Sequence, residues 1–370
     1  MKIKDIQLLH FRNYENIYFT PNEKINIFLG KNAQGKTNLL EGMGYLVSGK
    51  SFRTNSDKEV ISFDEDQSYI RALLEIYGYD HLYELKISKM EKKRLRIDGE
   101  EVQRLKEFKR EGAAVIFGPV DMNMIKFSPQ NRRKYLDDVI IQLDEWYEKN
   151  LNNYGKILEQ RNQLLRKAKY RNLTNLLDIY NLQLAELATE IISTRLETMK
   201  ILNMSAKNIY RHLASYEEEL STRYLSTLPY HKEKKEMIHA IYKKYHESSE
   251  LDLEKGRTTL GPHRDDIQFL INGHDGKLYG SQGQQRSIIL AMKLAEVEYI
   301  KDKKGFYPIL LLDDVFSELD RERKRFLTES IVGCQCFITM TDSIDLRELK
   351  DRENNLYKIE NNKIIGANVL

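Results

Sequence analysis

Cysteine is scarce in this chain. Only Cys334 and Cys336 occur in 370 residues, two positions apart in "CQCFITM". A pair cannot build the disulfide framework of a small secreted domain. With no His/Cys pair nearby, it also falls short of the roughly four ligands a structural zinc requires. A reduced, cytoplasmic setting is the expectation. Long apolar runs are missing too. None approaches the roughly 20 residues of a membrane span. The start, "MKIKDIQLLHF", reads as a strand and not as the apolar core of a signal peptide, so no membrane is expected. Nor does one sign of charge dominate: 59 Lys and Arg against 56 Asp and Glu leave +3. That is too little to argue for nucleic acid from bulk charge; only the distribution could.

What the chain does have is length and alternating texture. At 370 residues it is too long for one small core. "KIKDIQLLHFRNY" and "INIFLG" read as strands, and "KTNLLEGMGYLVSG" as a helix with Leu39, Leu40, Met43 and Leu46 on one side. "YIRALLEIYG", "LYELKIS" and "KRLRIDGEEV" continue the strand pattern, the last with Asp98-Gly99 as a hairpin turn. "AAVIFGP" is a short buried strand. From Ser128 to Leu253 strand signals vanish and helical spacing takes over, with only Pro129 and Pro229 as interruptions. Strands return at "DIQFLI", "YPILLLDDVF" and "CQCFITMT", and "NLYKIENNKII" closes as a hairpin. The expected organisation is α/β, then all-α, then α/β, over residues 1–127, 128–253 and 254–370.

"GKNAQGKT" spans Gly30, Lys31, Asn32, Ala33, Gln34, Gly35, Lys36 and Thr37. It matches the phosphate-loop pattern between a strand and a helix, which is the context that gives the pattern meaning. Glycines allow backbone N–H groups to aim at phosphate oxygens, and the helix start adds positive potential. Lys36 is expected on the β- and γ-phosphates of a nucleotide and Thr37 on Mg²⁺. "PILLLDDVFSELD" supplies an apolar strand ending in carboxylates. Asp313 fits the Mg²⁺ role. Asp314 sits where a carboxylate can take a proton from an attacking water. No guanine-reading N-K-x-D pattern is present. An insertion of more than a hundred residues is no small-molecule kinase lid.

A second cluster opens a helix just before the Asp313 strand: "YGSQGQQRS". A serine hydroxyl, exposed amides and a helix N-terminus make another γ-phosphate reader. It would be redundant in one chain but useful across a head-to-tail dimer. Gly280, Ser281, Gln282, Gly283 and Gln284 take the places of the L-S-G-G-Q signature of ABC-type ATPases. With "FRNY", "SPQNRRKYLD", "TTLGPHRDD", "LLLDDVFSELD" and "FITMTD", the chain resembles, over nearly its full length, the bacterial RecF family of SMC-like ATPase heads.

That resemblance implies an ABC-type head, a mixed β-sheet with a phosphate loop, carrying an inserted all-α arm. It implies ATP and Mg²⁺ as cofactors, an ATP-dependent homodimer and weak, DNA-stimulated hydrolysis. It implies binding to double- and single-stranded DNA near gaps, and partnership with RecO and RecR in loading RecA. Asp320 maps to the D-loop and Thr341, with Asp342 beside it, to the switch position. Asp121 is the nearest substitute for the Q-loop glutamine. The alternatives are an idle DNA-binding scaffold, or an ABC-type ATPase that regulates another partner.

Weaker features stay open. Arg12, Asn13 and Arg53 either flank the adenine or form ordinary polar turns. His263 and Arg264 form either a metal or catalytic cluster or, preferably, a turn that supports the signature loop. Basic runs at 89–96, 104–110 and 161–171 are either solvated faces or phosphate contacts. An arm helix of ~40 residues would span roughly 60 Å, a stub beside the arms of long SMC proteins.

Overall fold

The computed structural model describes residues 1–103, 105–109, 111–119, 121, 124–168, 174–214, 217–341 and 354–369. The chain forms two compact units, one from residues 1–122 and 289–370, the other from 123–288.

The first unit begins with β1 (Lys2–Phe11), β2 (Tyr14–Phe19), β3 (Ile25–Leu29), α1 (Lys36–Ser48), β4 (Gln67–Ile76) and β5 (Tyr79–Ser88). It continues with β6 (Arg94–Ile97), β7 (Glu100–Glu101), α2 (Leu105–Lys109) and β8 (Ala114–Phe117). The opening strand is as expected over Lys2–Phe11 and continues into a hairpin with β2. Arg12 takes a left-handed φ of 56° and turns β1 back on β2. The Asp98-Gly99 turn between β6 and β7 is as expected, both residues having positive φ.

The second unit holds α3 (Pro129–Ile141), α4 (Glu145–Ala168), α5 (Thr174–Leu213), β9 (Leu220–Leu225), α6 (Lys234–Glu247), α7 (Ser249–Lys255), β10 (Asp266–Ile271) and β11 (His274–Asp275). It is not wholly helical. "LSTRYL" forms β9, which pairs antiparallel with β10 in a three-stranded sheet, β11-β10-β9. That pairing extends the compact unit past the 128–253 expected for the helices. Only Leu220 in β9 is buried, so the strand carries little hydrophobic alternation. The arm helix is close to expectation: α5 has 40 residues.

Helix α8 (Gln282–Lys304) leads back to β12 (Ile309–Asp313), α9 (Arg321–Ser330), β13 (Cys336–Met340), β14 (Asn354–Glu360) and β15 (Lys363–Val369). Among the described residues the first unit holds two six-stranded sheets. One is antiparallel, β2-β1-β4-β5-β6-β7. The other runs β15-β14-β3-β13-β12-β8 and is parallel except for the closing β14–β15 hairpin.

Helix α1 packs on β1, β4 and β5 of the first sheet and on β8, β12 and β13 of the second. Its apolar surface is therefore not the single stripe expected from the sequence. Every residue from Leu39 to Val47 is buried. Full burial of a leucine or methionine side chain contributes about 1.5–3 kcal/mol, so this one helix anchors both sheets. Cys334 and Cys336 are free thiols buried in the same unit, and burial pushes the Cys334 thiol up to about 12.

In the second unit, buried arginines tie the helices to the turns. Arg161 Nη1 donates to Asp252 (2.7 Å) and Thr258 (2.8 Å), and its Nε to Asn181 (2.9 Å). Both members of the Arg161–Asp252 pair are fully buried. Arg195 holds Asp137, Tyr224 and the Pro262 carbonyl. Removing one member of such a pair strands a charge away from water. Asp252→Leu should cost about 3–5 kcal/mol in urea unfolding, whereas Arg161→Met with Asp252→Leu should recover most of it. Equal losses in the single and double variants would refute the pairing argument.

Candidate nucleotide-binding site

The phosphate loop lies where the sequence places it, between the end of β3 and the start of α1. Ala33 (φ 63°) and Gly35 (φ 92°) adopt left-handed backbone. At Gly35 the left-handed φ favours glycine, and a Cβ would also meet Asn13 Nδ2 at 2.8 Å. Lys36 Nζ turns back into the loop and donates to the carbonyls of Gly30 (2.6 Å) and Lys31 (2.9 Å). Burial lowers its pKa, opposed by the charges of Asp314 and Asp313. Gln34 is fastened from the other side: its Oε1 accepts the Asn361 N–H of the β14–β15 turn at 2.5 Å. Lys31, Asn32 and Ala33 are exposed at the tip.

The parallel register brings Asp313, at the end of β12, beside Thr339 of β13, whose next residue Met340 pairs with Leu29 of β3. Asp313 Oδ1 accepts from Thr37 Oγ1 and from Thr339 Oγ1, each at 2.8 Å. Thr37 and Asp313 thus meet as the motifs anticipate. Their hydroxyl and carboxylate oxygens are hard donors at the root of a phosphate loop, a set that fits Mg²⁺. Among the described residues there is no cluster of three or more His, Cys, Asp or Glu suited to a metal. Phosphate and water oxygens would therefore complete the shell.

Thr339 lies inside the "FITMTD" segment but is not itself among the expected site residues. It is fully buried, and its Oγ1 both donates to Asp313 and accepts the Asp314 N–H at 2.9 Å. Asp314 needs that restraint. Its φ of 51° is left-handed, a conformation costing a non-glycine residue of order 1–3 kcal/mol. Ser317 Oγ closes the turn on the Asp314 carbonyl at 2.7 Å. Burial pushes the Asp314 carboxyl above its ordinary value, with Ser317 and Lys36 acting the other way. One hydroxyl therefore positions both carboxylates. The available signal was a lone polar residue inside an apolar strand.

Arg12, Asn13 and Arg53 all come to the loop's flank. Arg12 gives Nε and Nη2 to the two oxygens of Glu41 (3.0 and 2.7 Å) and Nη1 to the Glu59 carbonyl (2.6 Å). Arg53 Nη1 reaches Asn38 (2.6 Å) and Glu41 (3.1 Å), and Ser51 Oγ donates to Glu41 at 2.5 Å. The guanidinium of Arg12 is thus engaged in a clamp on a buried carboxylate. Asn13 accepts from Asn38 at 2.7 Å and donates to Asn362. Glu41 is not among the expected site residues, though a carboxylate inside "NLLEGMGYL" is a visible anomaly in an apolar helix.

Asp121 is committed elsewhere. Its Oδ2 accepts the Gly118 N–H (2.9 Å) and its Oδ1 faces Lys293 at 3.5 Å. Asp320 caps α9, accepting the Arg323 N–H at 3.0 Å and pairing with its guanidinium. Thr341 is exposed just beyond β13, and Asp342 lies outside the described residues.

The signature segment belongs to the second unit. Ser281 and Gln284 form a reciprocal capping box at the start of α8. The Ser281 N–H donates to Gln284 Oε1 (2.7 Å) and the Gln284 N–H to Ser281 Oγ (3.2 Å). Gln284 Nε2 also donates to Glu218 (2.6 Å). Gln285 Nε2 reaches the Gly276 carbonyl (3.0 Å), and a Cβ at Gly280 would meet that carbonyl at 2.4 Å. The glutamines thus build the helix start, while Ser281 and Gln282 stay exposed. In "GPHRDD", Tyr154 Oη lies 2.9 Å from His263 Nδ1 and the Thr258 carbonyl 3.3 Å from Nε2, and burial pushes the imidazole down to about 4. This is a braced turn. Of the basic runs, Arg104, Arg110, Lys169, Tyr170 and Arg171 lie outside the described residues.

Fold and site together define a phosphate-loop head of the ABC type. The family model "RecF/RecN/SMC N terminal domain" matches residues 2–364. "DNA replication and repair protein RecF" of Clostridium acetobutylicum is 39% identical over 98% of this chain and 99% of the relative. That of Clostridium perfringens is 38% identical over the same shares. A solved structure of the recombination mediator protein RecF-ATPrS in the RecFOR pathway aligns with a TM-score of 0.90 at 34% identity, over 98% of this chain and 97% of that one. An SMC head bound to the C-winged helix domain of ScpA shares the fold alone, with a TM-score of 0.58 at 13% identity over 100% of this chain and 98% of that one. The chain belongs to the RecF family.

Thr339→Val should lower ATP turnover at least tenfold and raise the Mg²⁺ concentration needed for nucleotide retention. Thr339→Ser should restore both; equal defects in the two would reduce Thr339 to packing. A second outcome concerns His263. Its depressed folded pKa means the unfolded chain takes up the proton first, so stability falls as pH drops from about 6.5 towards 4, by up to about 3 kcal/mol. Urea midpoints should show that slope in the native chain and a flatter one in His263→Gln.

Proposed function

We propose that this chain is a weak, DNA-stimulated ATPase whose product is a conformational state. Two copies bind head to tail around ATP, close on DNA near single-strand gaps, and release it after hydrolysis. Acting with RecO and RecR in the cytoplasm, the closed form promotes RecA loading. The observation that carries this reading is the pairing of Thr37 with Asp313 at the root of a complete phosphate loop. The names of the relatives, and the solved RecF described with ATP in the RecFOR pathway, support the setting.

The backbone N–H groups of Gly30 to Thr37 bind the phosphates, with Asn13 walling the loop beside Gly35. Lys36 exchanges the carbonyls of Gly30 and Lys31 for β- and γ-phosphate oxygens. Thr37 and Asp313 would hold Mg²⁺, which neutralises charge on those phosphates when bound. Asp314, fixed by Thr339, accepts a proton from water. The partner copy presents Ser281 to the γ-phosphate, Gln282, Gly283 and Gln284 shaping that helix start. Asp320 and Thr341 lie at the dimer-facing edge. ATP then shifts population toward the closed dimer, because only that state engages both faces of the nucleotide.

Light scattering tests the dimer. With Mg²⁺ and ATP the molar mass should double, with ADP it should not, and Ser281→Arg should abolish the change. A mass indifferent to nucleotide would sink the clamp. Phosphate release should likewise vanish in Asp313→Asn; release that persists would remove the ATPase assignment.

A further inference from the structure

The outer face of the antiparallel sheet carries an arrangement that solvation does not explain. Side chains alternate along β4, β5 and β6: Ile70, Ala72, Leu85 and Leu95 are buried in the core, while Tyr69, Arg71, Glu84, Lys86, Arg94 and Arg96 lie on the opposite face. The register sets Tyr69, Lys86 and Arg94 in one cross-strand row, and Arg71, Glu84 and Arg96 in the next. Lys86 and Arg94 are thus directly opposed like charges, a pairing that destabilises a sheet. Arg71, Lys86 and Arg96 have no ion pair among the described residues, and Arg94 has only an exposed contact with Glu91 at 2.9 Å. Tyr69 Oη donates to Glu84 Oε1, which leaves Oε2 an open acceptor. Tyr69, Glu84, Lys86, Arg94 and Arg96 line a cleft of about 220 Å³.

We propose that this cleft takes a nucleotide of single-stranded DNA, its base against Tyr69 and Glu84 and its flanking phosphates on Lys86, Arg94, Arg96 and Arg71. The proposal rests on the reading of the chain as a DNA-binding protein and names a surface for it. Each part of the cleft has a task. An aromatic ring offers a stacking platform to any base. A carboxylate accepts from an exocyclic amine such as that of cytosine. Four cations exceed what one phosphate needs and suit a continuous strand. Duplex DNA would meet the cations but keep its base edges paired, leaving the ring and the free carboxylate oxygen unused.

The test is fluorescence anisotropy of the full chain with a 20-mer of oligo(dC) and an abasic 20-mer, across a salt series, with and without ATP. The native chain should bind oligo(dC) about tenfold more tightly than the abasic strand. Tyr69→Ala and Glu84→Gln should erase that preference and keep the salt slope. Tyr69→Phe should keep the stacking. Lys86→Ala and Arg96→Ala should each reduce the salt slope by about 0.7. Equal binding of the two strands by the native chain, or variants indistinguishable from it, would overturn the proposal. So would displacement of the strand by equimolar dCMP, which would assign the cleft to a free nucleotide, or by polyglutamate, which would assign it to an acidic peptide. The Ser281→Arg chain should keep the base preference. Its loss of ATP-dependent binding alone leaves this surface standing, whereas a native chain that binds no DNA removes the underlying reading.

Discussion

The phosphate site is governed by one line of strand ends. β3, β13 and β12 run parallel and adjacent, so their last residues finish together. Thr37, one residue into the helix that follows β3, therefore meets a carboxylate 276 positions away. A one-residue slip in any of these pairings would turn Asp313 or Thr339 to the other face of the sheet. The antiparallel sheet, α1 and the closing hairpin hold that line in place, and the chemistry follows from it.

Charge is handled in two ways around the line. Glu41 is buried but shared by two arginines and a serine, so its cost is offset and the α1 helix is pinned to the turns at Arg12 and Arg53. Lys36 and Asp314 are treated differently. Burial weakens the charged form of both, one ammonium and one carboxylate, within each other's field. Glu41 has its ion-pair partners already, whereas Lys36 and Asp314 are held part-desolvated beside the phosphate loop.

Much of this was legible in the sequence. The phosphate loop and the strand ending in Asp313 announced themselves through glycine spacing and an apolar run, signals local enough to survive without a fold. What stayed hidden was non-local. Thr339 matters because of a neighbouring strand, and nothing within "FITM" says which strand that is. The turn at Arg12 is weakly marked, since a left-handed arginine has no compositional signal. Strand β9 leaves almost no mark in the sequence because burial touches only Leu220. Composition does not reveal that Gln284 and Gln285 build the start of α8, Gln284 through its bond to Ser281 and Gln285 through the Gly276 carbonyl.

The same strand order has a consequence for synthesis. β3 is complete within the first 29 residues, yet both its neighbours, β13 and β14, come about 300 residues later. At about 5–20 residues per second a ribosome needs roughly 15–60 s to supply them. Throughout that interval "INIFL" has no sheet to join, while the antiparallel hairpins can already pair and the helical unit can finish folding. The nascent chain thus carries an unpaired, apolar central strand through most of its translation, a natural target for a holding chaperone.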